Sequence, residues 1–144
     1  ATGVHWVFAP SVAVARDDRW GRTYESYAED GQLVSLYAAS IIEGLQGRWD
    51  SPMFLRDGKV IATAKHFIGD GGTVNGNDGG NNVDDEAALI KHHAQGYIAA
   101  LKAGVQVVMA SFNQWQGHEL HGHRYLLTDV LKQRMGFDGF VIGD

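Results

Sequence analysis

The stretch VIATAKHFIGDGG, residues 60–72, joins a short apolar segment to a lysine–histidine pair and a run of glycines. Its first five residues are β-branched or small, which is typical of a buried strand. Lys65 and His66 follow this segment directly, and the glycines after them allow the backbone to approach a ligand or to adopt positive φ. The stretch therefore predicts a core strand that ends at a polar site.

Three other segments have the same apolar character and predict three more strands. They are VHWVFA at residues 4–9, VQVVMA at 105–110 and GFVI at 139–142. The first is predicted to be buried and to run into Pro10, and the last stops two residues before Asp144. Because these segments are continuous apolar runs rather than alternating ones, they favour parallel strands that helices cover.

Apolar residues spaced three and four apart predict three helices between these strands. The first covers residues 29–46, and its predicted inward face is Leu33, Leu36, Tyr37, Ile41 and Leu45. The second runs from Asp84 to Lys102, with acidic residues in its first turn and Gly104 as a stop. Its predicted buried stripe is Ile90, Ala94, Tyr97, Ile98 and Leu101. The third covers about 124–135, and its predicted inward residues are Leu127, Val130 and Leu131.

The element order is therefore β-α-β-α-β-α-β, which is typical of an α/β protein with a parallel sheet. A doubly wound open sheet and part of a (β/α)8 barrel both fit this order. Four strands in 144 residues are half of the strands of a TIM barrel of roughly 250 residues. We therefore expect residues 1–144 to form about half of a (β/α)8 TIM barrel domain.

Composition and charge exclude several classes of function. The net charge is −5 and the 12 basic residues are scattered, which argues against a nucleic-acid partner. The chain has no cysteine, so disulfides and cysteine-ligated zinc are excluded. No apolar run approaches the roughly 20 residues of a membrane helix, so no membrane partner is expected. The amino-terminal residues contain no recognisable export signal, and no cofactor is predicted.

Polar residues follow each predicted strand. They are Arg16 to Arg22, the pair Lys65 and His66, Ser111 to Trp115, and Asp144. Ligand sites of parallel α/β folds lie at the carboxyl edge of the sheet. We therefore expect these four groups to share one pocket.

The segment RDDRWGRTYESYAED, residues 16–30, allows two interpretations. It is either a solvated charged loop or a surface that binds a sugar. In the second case Trp20, Tyr24 and Tyr27 would stack on the sugar ring. The interleaved arginines would then bind hydroxyl groups, since a guanidinium presents five donors in a fixed geometry.

Phosphate and metal binding are both disfavoured. A phosphate-binding loop would continue as GK[ST], whereas here the glycines lead into NGNDGGNN at residues 75–82. The pair His92 and His93 and the run HELHGH at 118–123 do not match HExxH, and no carboxylate stands at a known metal spacing. We expect these histidines to be structural or solvated, and no metal site is predicted.

Four stretches together resemble glycoside hydrolase family 3, the family of β-glucosidases and exo-β-glucanases. They are RDDRWGRTYESYAED (16–30), AKHFIGDGGT (64–73), VMASFNQWQG (108–117) and GFDGFVIGD (136–144). They stand in the family's order and cover essentially the whole chain. The resemblance is strongest to bacterial exported enzymes that act on β-glucans and cello-oligosaccharides. It therefore implies a periplasmic or secreted hydrolase.

The resemblance implies roles for five residues. Asp144 matches the catalytic nucleophile, and Arg22, Lys65 and His66 match ligands of the terminal glucose. Phe112 stands beside the nucleophile where many members carry Tyr, so the implied substrate site lacks a phenolic hydroxyl. The family's SDW motif is also altered, because a glycine precedes Asp144 in place of serine.

The implied reaction is a double displacement with retention of configuration. Asp144 would form a glycosyl-enzyme that water then hydrolyses. A second carboxyl, about 5–5.5 Å away, would protonate the leaving oxygen and later activate water. In this branch of the family that group is a Glu of a second domain, which this chain lacks, so the chain alone is expected to be inactive.

The β-N-acetylglucosaminidase branch fits less well. It usually reads KHFPGHG followed by Asp-x-His, whereas this chain reads KHFIGDGG and has no histidine between His66 and His92. Two alternatives outside the family stay open. One is an enzyme of another reaction class on a complete small α/β domain. The other is a non-catalytic carbohydrate-binding module that uses Trp20, Tyr24, Trp115 and the arginines.

Overall fold

The computed structural model describes residues 3–144. The strands of this part of the chain are β1 (Thr63–Phe67), β2 (Asn81–Asn82), β3 (Val107–Ala110), β4 (Gln114–Trp115), β5 (His118–Glu119) and β6 (Phe140–Gly143). The α-helices are α1 (Gly31–Gln46), α2 (Glu86–Leu89) and α3 (Gln95–Lys102), and π-helical segments cover Ile90–Ala94 and Tyr125–Arg134. No helix of the described residues is both long and apolar enough to cross a membrane.

The central sheet is parallel, as expected, in the order β1-β3-β6. Its register pairs Phe67 with Ala110 and Ala110 with Gly143, so the carboxyl ends of the three strands are level. The residues that follow these ends therefore emerge at one edge. All four residues of β3 are buried, which agrees with an inner strand covered on both faces.

The prediction of a continuous buried strand at residues 4–9 is wrong. This segment pairs in parallel with the chain before β1 through an isolated bridge between Trp6 and Ile61, and a second bridge joins Ser11 to Lys65. Pro10 lies between the two bridges and has no N–H to donate to a ladder. The side chains of Trp6 and Phe8 are exposed and contact each other. That face of the sheet is not covered by the described residues.

The first helix is confirmed, but its predicted inward face is wrong. Asp30 caps α1, with its carboxylate accepting a hydrogen bond from the Leu33 backbone N–H. The buried apolar residues are Val34, Ala38 and Ile42, whereas Leu33, Leu36 and Tyr37 are exposed. The smaller residues lie inside because α1 packs closely on α3, where Val34 lies against Gly96.

The second helix is confirmed, with a local change of winding. It begins at Glu86 rather than at Asp84, and its N-cap Asp85 accepts a hydrogen bond from Ala88 N–H. The π-helical segment Ile90–Ala94 widens the helix, so residues before and after it do not keep one α-helical stripe. Ala94 and Tyr97 are buried as predicted, Ile98 and Leu101 are half-buried, and Ile90 is exposed. The helix stops at Gly104, which has φ of 84°, as predicted.

The third helix is the π-helix Tyr125–Arg134. Leu131 is buried as predicted, whereas Leu127 and Val130 are half-buried and Leu126 takes an inner position. A second small sheet, in the order β2-β4-β5, was not predicted. Its strands have two residues each, which is too short for an apolar pattern to develop.

The glycine-rich loop after β1 packs against the protein itself. Gly69 has φ of 87°, and a side chain there would meet the amide of Asn82. A Cβ at Gly71 would lie 2.3 Å from the carbonyl oxygen of Val14. The absence of a side chain at Gly71 therefore allows this loop to lie directly on the backbone at Val14. Asp70 lies between the two glycines, so their close packing fixes its position.

Candidate active site

A cavity of about 310 Å³ opens at the carboxyl edge of the central sheet. Its lining comes from separate segments that follow the strand ends. The lining residues are Arg22, His66, Asp70, Asp78, Gly79, Ser111, Phe112, Asn113 and Asp144. The structure therefore brings together four of the five residues singled out from the sequence, and Lys65 lies beside them.

Arg22 reaches the cavity from the loop that contains the short turn Thr23–Glu25. Its guanidinium donates two hydrogen bonds to Glu25, from Nε to Oε1 at 2.7 Å and from Nη2 to Oε2 at 3.0 Å. This paired geometry lowers the pKa of Glu25 and raises the pKa of Arg22. Both groups are therefore ionised, and the guanidinium is held at a fixed angle.

Lys65 and His66 lie within β1 rather than after it, which corrects the predicted strand boundary. Neighbouring strand residues ordinarily point to opposite faces. Here the register shifts between Ala64 and Phe67, at the position of this pair. As a result both side chains reach the same group of residues. Lys65 Nζ lies 3.7 Å from Glu25 Oε2, so Glu25 holds two cations.

His66 is buried and has a partner on each ring nitrogen. Arg22 Nη2 lies 3.1 Å from Nε2, and Asp70 Oδ2 lies 2.9 Å from Nδ1. A guanidinium can only donate, so Nε2 accepts and the ring proton is on Nδ1, facing Asp70. Asp70 thus fixes both the tautomer and the orientation of a ring that faces the cavity.

Asp144 follows β6 and lines the cavity together with Arg22 and His66. Its Oδ2 lies 3.9 Å from His66 Nε2, and its side chain is 33% exposed. The carboxylate therefore lies beside His66 and is open to the cavity. This is the arrangement that a nucleophile needs to reach an incoming carbon atom.

The residues that follow β3, 111–115, differ in how far they are exposed to the cavity. Ser111 and Asn113 are buried, while Phe112 is 64% exposed and presents its ring to the cavity. Trp115 points away, because its indole N–H donates to the carbonyl of Asp84 at 2.8 Å. Of the aromatic residues in this segment, only Phe112 can contact a ligand in the cavity.

Of the two interpretations of residues 16–30, sugar stacking fails for Trp20, whereas Tyr24 and Tyr27 are exposed. Trp20 is buried, and its indole N–H donates to Asp78 Oδ1 at 3.0 Å. Arg16 donates to the carbonyl of Glu29, and Arg19 pairs with Asp17. Arg22 is thus the arginine of this segment that joins the cavity.

The histidines outside the cavity do not form a metal site. Within residues 3–144, no group of three or more His, Cys, Asp or Glu could hold a metal ion. His93 is buried with Nε2 3.5 Å from Asp84 Oδ2, and this contact lowers the pKa of Asp84. His121, in contrast, lies beside Asp144 and accepts a hydrogen bond from its backbone N–H.

The residues of the site that escaped the sequence interpretation include Glu25, Asp70 and His121. Glu25 stands three residues after Arg22, and Asp70 stands four residues after His66. A carboxylate at such short spacing from a cation or histidine is a usable local signal. His121 is separated from Asp144 by 23 positions, so no local pattern pairs them.

Comparison with known proteins identifies the family of this chain. The model of the glycosyl hydrolase family 3 N-terminal domain matches residues 1–144. The chain belongs to glycosyl hydrolase family 3. An exo-1,3/1,4-β-glucanase from a Pseudoalteromonas species is 58% identical, with a TM-score of 0.97, over 100% of this chain and 18% of that protein. The α/β architecture of the family 3 chain is thus confirmed as part of a (β/α)8 barrel.

Curated relatives of this family 3 chain include a β-xylosidase from Formosa agariphila, 40% identical over 100% of this chain and 20% of the relative. A periplasmic β-glucosidase from Salmonella typhimurium is 33% identical over 99% of this chain and 18% of its own length. The chain therefore spans about a fifth of the length of the relatives that it matches.

Replacement of Asp70 by alanine tests the hydrogen bond between its carboxylate and His66 Nδ1. Loss of the acceptor leaves the buried Nδ1–H of His66 unpaired, which costs about 1–3 kcal/mol. We expect kcat/KM on an aryl β-glucoside to fall by about 10–100-fold in the full-length protein. Asp70→Asn, which keeps an acceptor oxygen, should lose less. The control is Asp50→Ala, which breaks an exposed pair with Arg48. Equal activity of Asp70→Ala and Asp50→Ala would contradict the assignment.

Proposed function

We propose that the protein containing this chain is a retaining β-glucosidase or exo-β-glucanase. It releases glucose from the non-reducing end of β-glucans or cello-oligosaccharides. Asp144 is the nucleophile, Arg22, Lys65 and His66 bind the hydroxyl groups of the terminal sugar, and Phe112 lies against it. The observation that carries the proposal is the convergence of these segments at one cavity, which Asp144 lines directly after β6.

The charges of the site support this assignment of roles. A neutral sugar offers hydroxyl groups, which a fixed guanidinium and an ammonium bind as donors. Arg22 and Lys65 are both held by Glu25, so their positions are set before a substrate arrives. Within the described residues the Asp144 carboxylate has no cationic partner, because the Nε2 of His66, 3.9 Å from Oδ2, carries no proton. This carboxylate is thus free to attack the anomeric carbon.

The acid/base catalyst is proposed to lie outside these residues. Two other carboxylates line the cavity, Asp70 and Asp78. Asp70 is occupied by His66, and Asp78 accepts a hydrogen bond from Trp20. Both carboxylates are therefore already hydrogen-bonded to groups of the protein. We assign this role to a Glu of a second domain, following the family resemblance.

Residues 1–144 are proposed to be part of the barrel domain of a longer, exported protein. Trp6 contacts both Phe8 and Phe140, and all three rings are exposed at one face of the sheet. Further strands of the barrel would cover this apolar face. A periplasmic or secreted location follows the family resemblance and the periplasmic enzyme of Salmonella typhimurium.

A carbohydrate-binding module without catalysis is the weaker alternative. Such a module needs exposed aromatic rings for stacking. Trp20 is buried and Trp115 is turned away toward Asp84, so two of the three rings expected for that role are not free to stack on a sugar.

The decisive experiment follows the anomeric product by proton NMR. The full-length protein is given aryl β-glucoside and aryl β-xyloside in separate reactions. We expect β-glucose to appear first, with faster turnover of the glucoside, because a double displacement retains configuration. First release of α-glucose, or no hydrolysis of either substrate, would overturn the proposal. Faster turnover of the xyloside would replace glucose by xylose as the substrate.

A further inference from the structure

His121 lies directly behind the proposed nucleophile. The backbone N–H of Asp144 donates a hydrogen bond to His121 Nε2 at 3.1 Å. A Cβ at Gly143 would lie 3.7 Å from the same nitrogen, so the ring also lies against the last residue of β6. On its other side the imidazole contacts Phe112, with ring centroids 5.8 Å apart. The histidine therefore bridges two strand ends.

The position of His121 is set by a well-anchored turn. His121 is the middle residue of the short helical turn Leu120–Gly122, and Leu120 is fully buried. The Leu120 N–H donates to the Asn113 carbonyl at 3.3 Å, which ties the turn to the segment after β3. This turn follows β5, so the small sheet β2-β4-β5 carries the histidine to the carboxyl edge of the central sheet.

The hydrogen bond to His121 gives the backbone N–H of Asp144 an acceptor at the end of β6. The Asp144 N–H comes directly after the paired residue Gly143 of β6, and it donates to His121 rather than to a carbonyl of β3. The Ser111 N–H on the neighbouring strand donates to the Phe67 carbonyl and continues its own ladder. His121 supplies the acceptor that the sheet does not supply to Asp144.

We propose that His121 is a positioning residue for Asp144, a role that rests on the proposed function. As acceptor, Nε2 carries a lone pair, so the neutral ring holds its proton on Nδ1. The bond fixes the main chain of Asp144 while leaving both carboxylate oxygens free for the substrate. Displacement of a reacting group by about 1 Å costs on the order of 100-fold in rate. His121 thus acts on the chemical step rather than on sugar binding.

The test compares two substitutions in the full-length protein. His121→Phe keeps a ring of similar size but has no acceptor, and we expect kcat to fall about 10–100-fold with KM changed less than about twofold. His121→Gln restores an acceptor at similar reach and should recover kcat to within a few-fold of the original protein. His118→Phe, on the same hairpin but without a contact to Asp144, is the control and should keep full activity.

A second measurement does not depend on activity. Hydrogen exchange at the Asp144 backbone amide, followed by mass spectrometry, should be faster in His121→Phe than in His121→Gln or the original protein. If the original protein neither hydrolyses glycosides nor is labelled at Asp144, the proposed function fails while this measurement still reports the contact. Equal kcat for the Phe and Gln variants, a change in KM alone, or unchanged exchange would overturn the positioning role.

Discussion

Replacement of Asp144 by glycine in the full-length protein is expected to lower turnover of β-glucosides by on the order of 10⁴–10⁶-fold. The variant lacks the carboxylate proposed to form the glycosyl-enzyme, while Arg22 keeps Glu25 and His66 keeps Asp70 as partners. A 2-fluoro-glucoside should label Asp144 covalently in the original protein, and peptide mass spectrometry locates the label. Added azide should restore glucoside cleavage in Asp144→Gly, giving an α-glucosyl azide because the small anion enters the vacated space.

Asp138→Asn is the matched control for this substitution. Asp138 is exposed and stands two residues before β6, so it shares the segment but not the cavity. Its activity should stay within about twofold of the original, as is usual for a surface substitution. Labelling at a residue other than Asp144, or formation of β-glucosyl azide, would contradict the assignment of the nucleophile.

The positions of the strand ends were predictable from the sequence because each depends on a short local run of apolar residues. Apolar runs mark β3 and β6, and the level ends of parallel strands bring the following residues together. The fate of individual side chains was less predictable. Trp20 is of the residue type that stacks on sugars, yet it is buried and its indole N–H donates a hydrogen bond to Asp78. Composition cannot show which side of a loop faces the core.

The helix faces show a second limit of sequence patterns. The large residues of α1, such as Leu36, predicted the inward face, but the close approach of α3 admits only the stripe of Val34, Ala38 and Ile42. In the next helix, the wider winding of the π-helical segment Ile90–Ala94 changes which residues face inward before and after it. A fixed period of about 3.6 residues contains no information about either effect.

Replacement of Arg22 by alanine is expected to lower kcat/KM on β-glucosides by about 100-fold or more, since breaking this partly buried ion pair leaves Glu25 with only the longer contact to Lys65. Glu25 loses two hydrogen bonds, and His66 Nε2 loses its donor. Arg22→Lys should recover little, because an ammonium cannot form the paired contact with Glu25 while reaching His66. The measurement is steady-state kinetics on the full-length protein.

The same substitution should change the response of the site to acid. Arg22 holds the pKa of Glu25 below its usual range. Stabilisation by this pair is therefore complete above the usual pKa of Glu and is lost as pH falls through the lowered pKa. Without Arg22, Glu25 takes up its proton at higher pH and releases Lys65, so the acidic limb of kcat/KM should move to higher pH. Arg19→Ala is the control, because Arg19 lies in the same loop but pairs with Asp17 at the surface. If Arg22→Ala and Arg19→Ala give the same acidic limb, Glu25 does not link the two cations of the site.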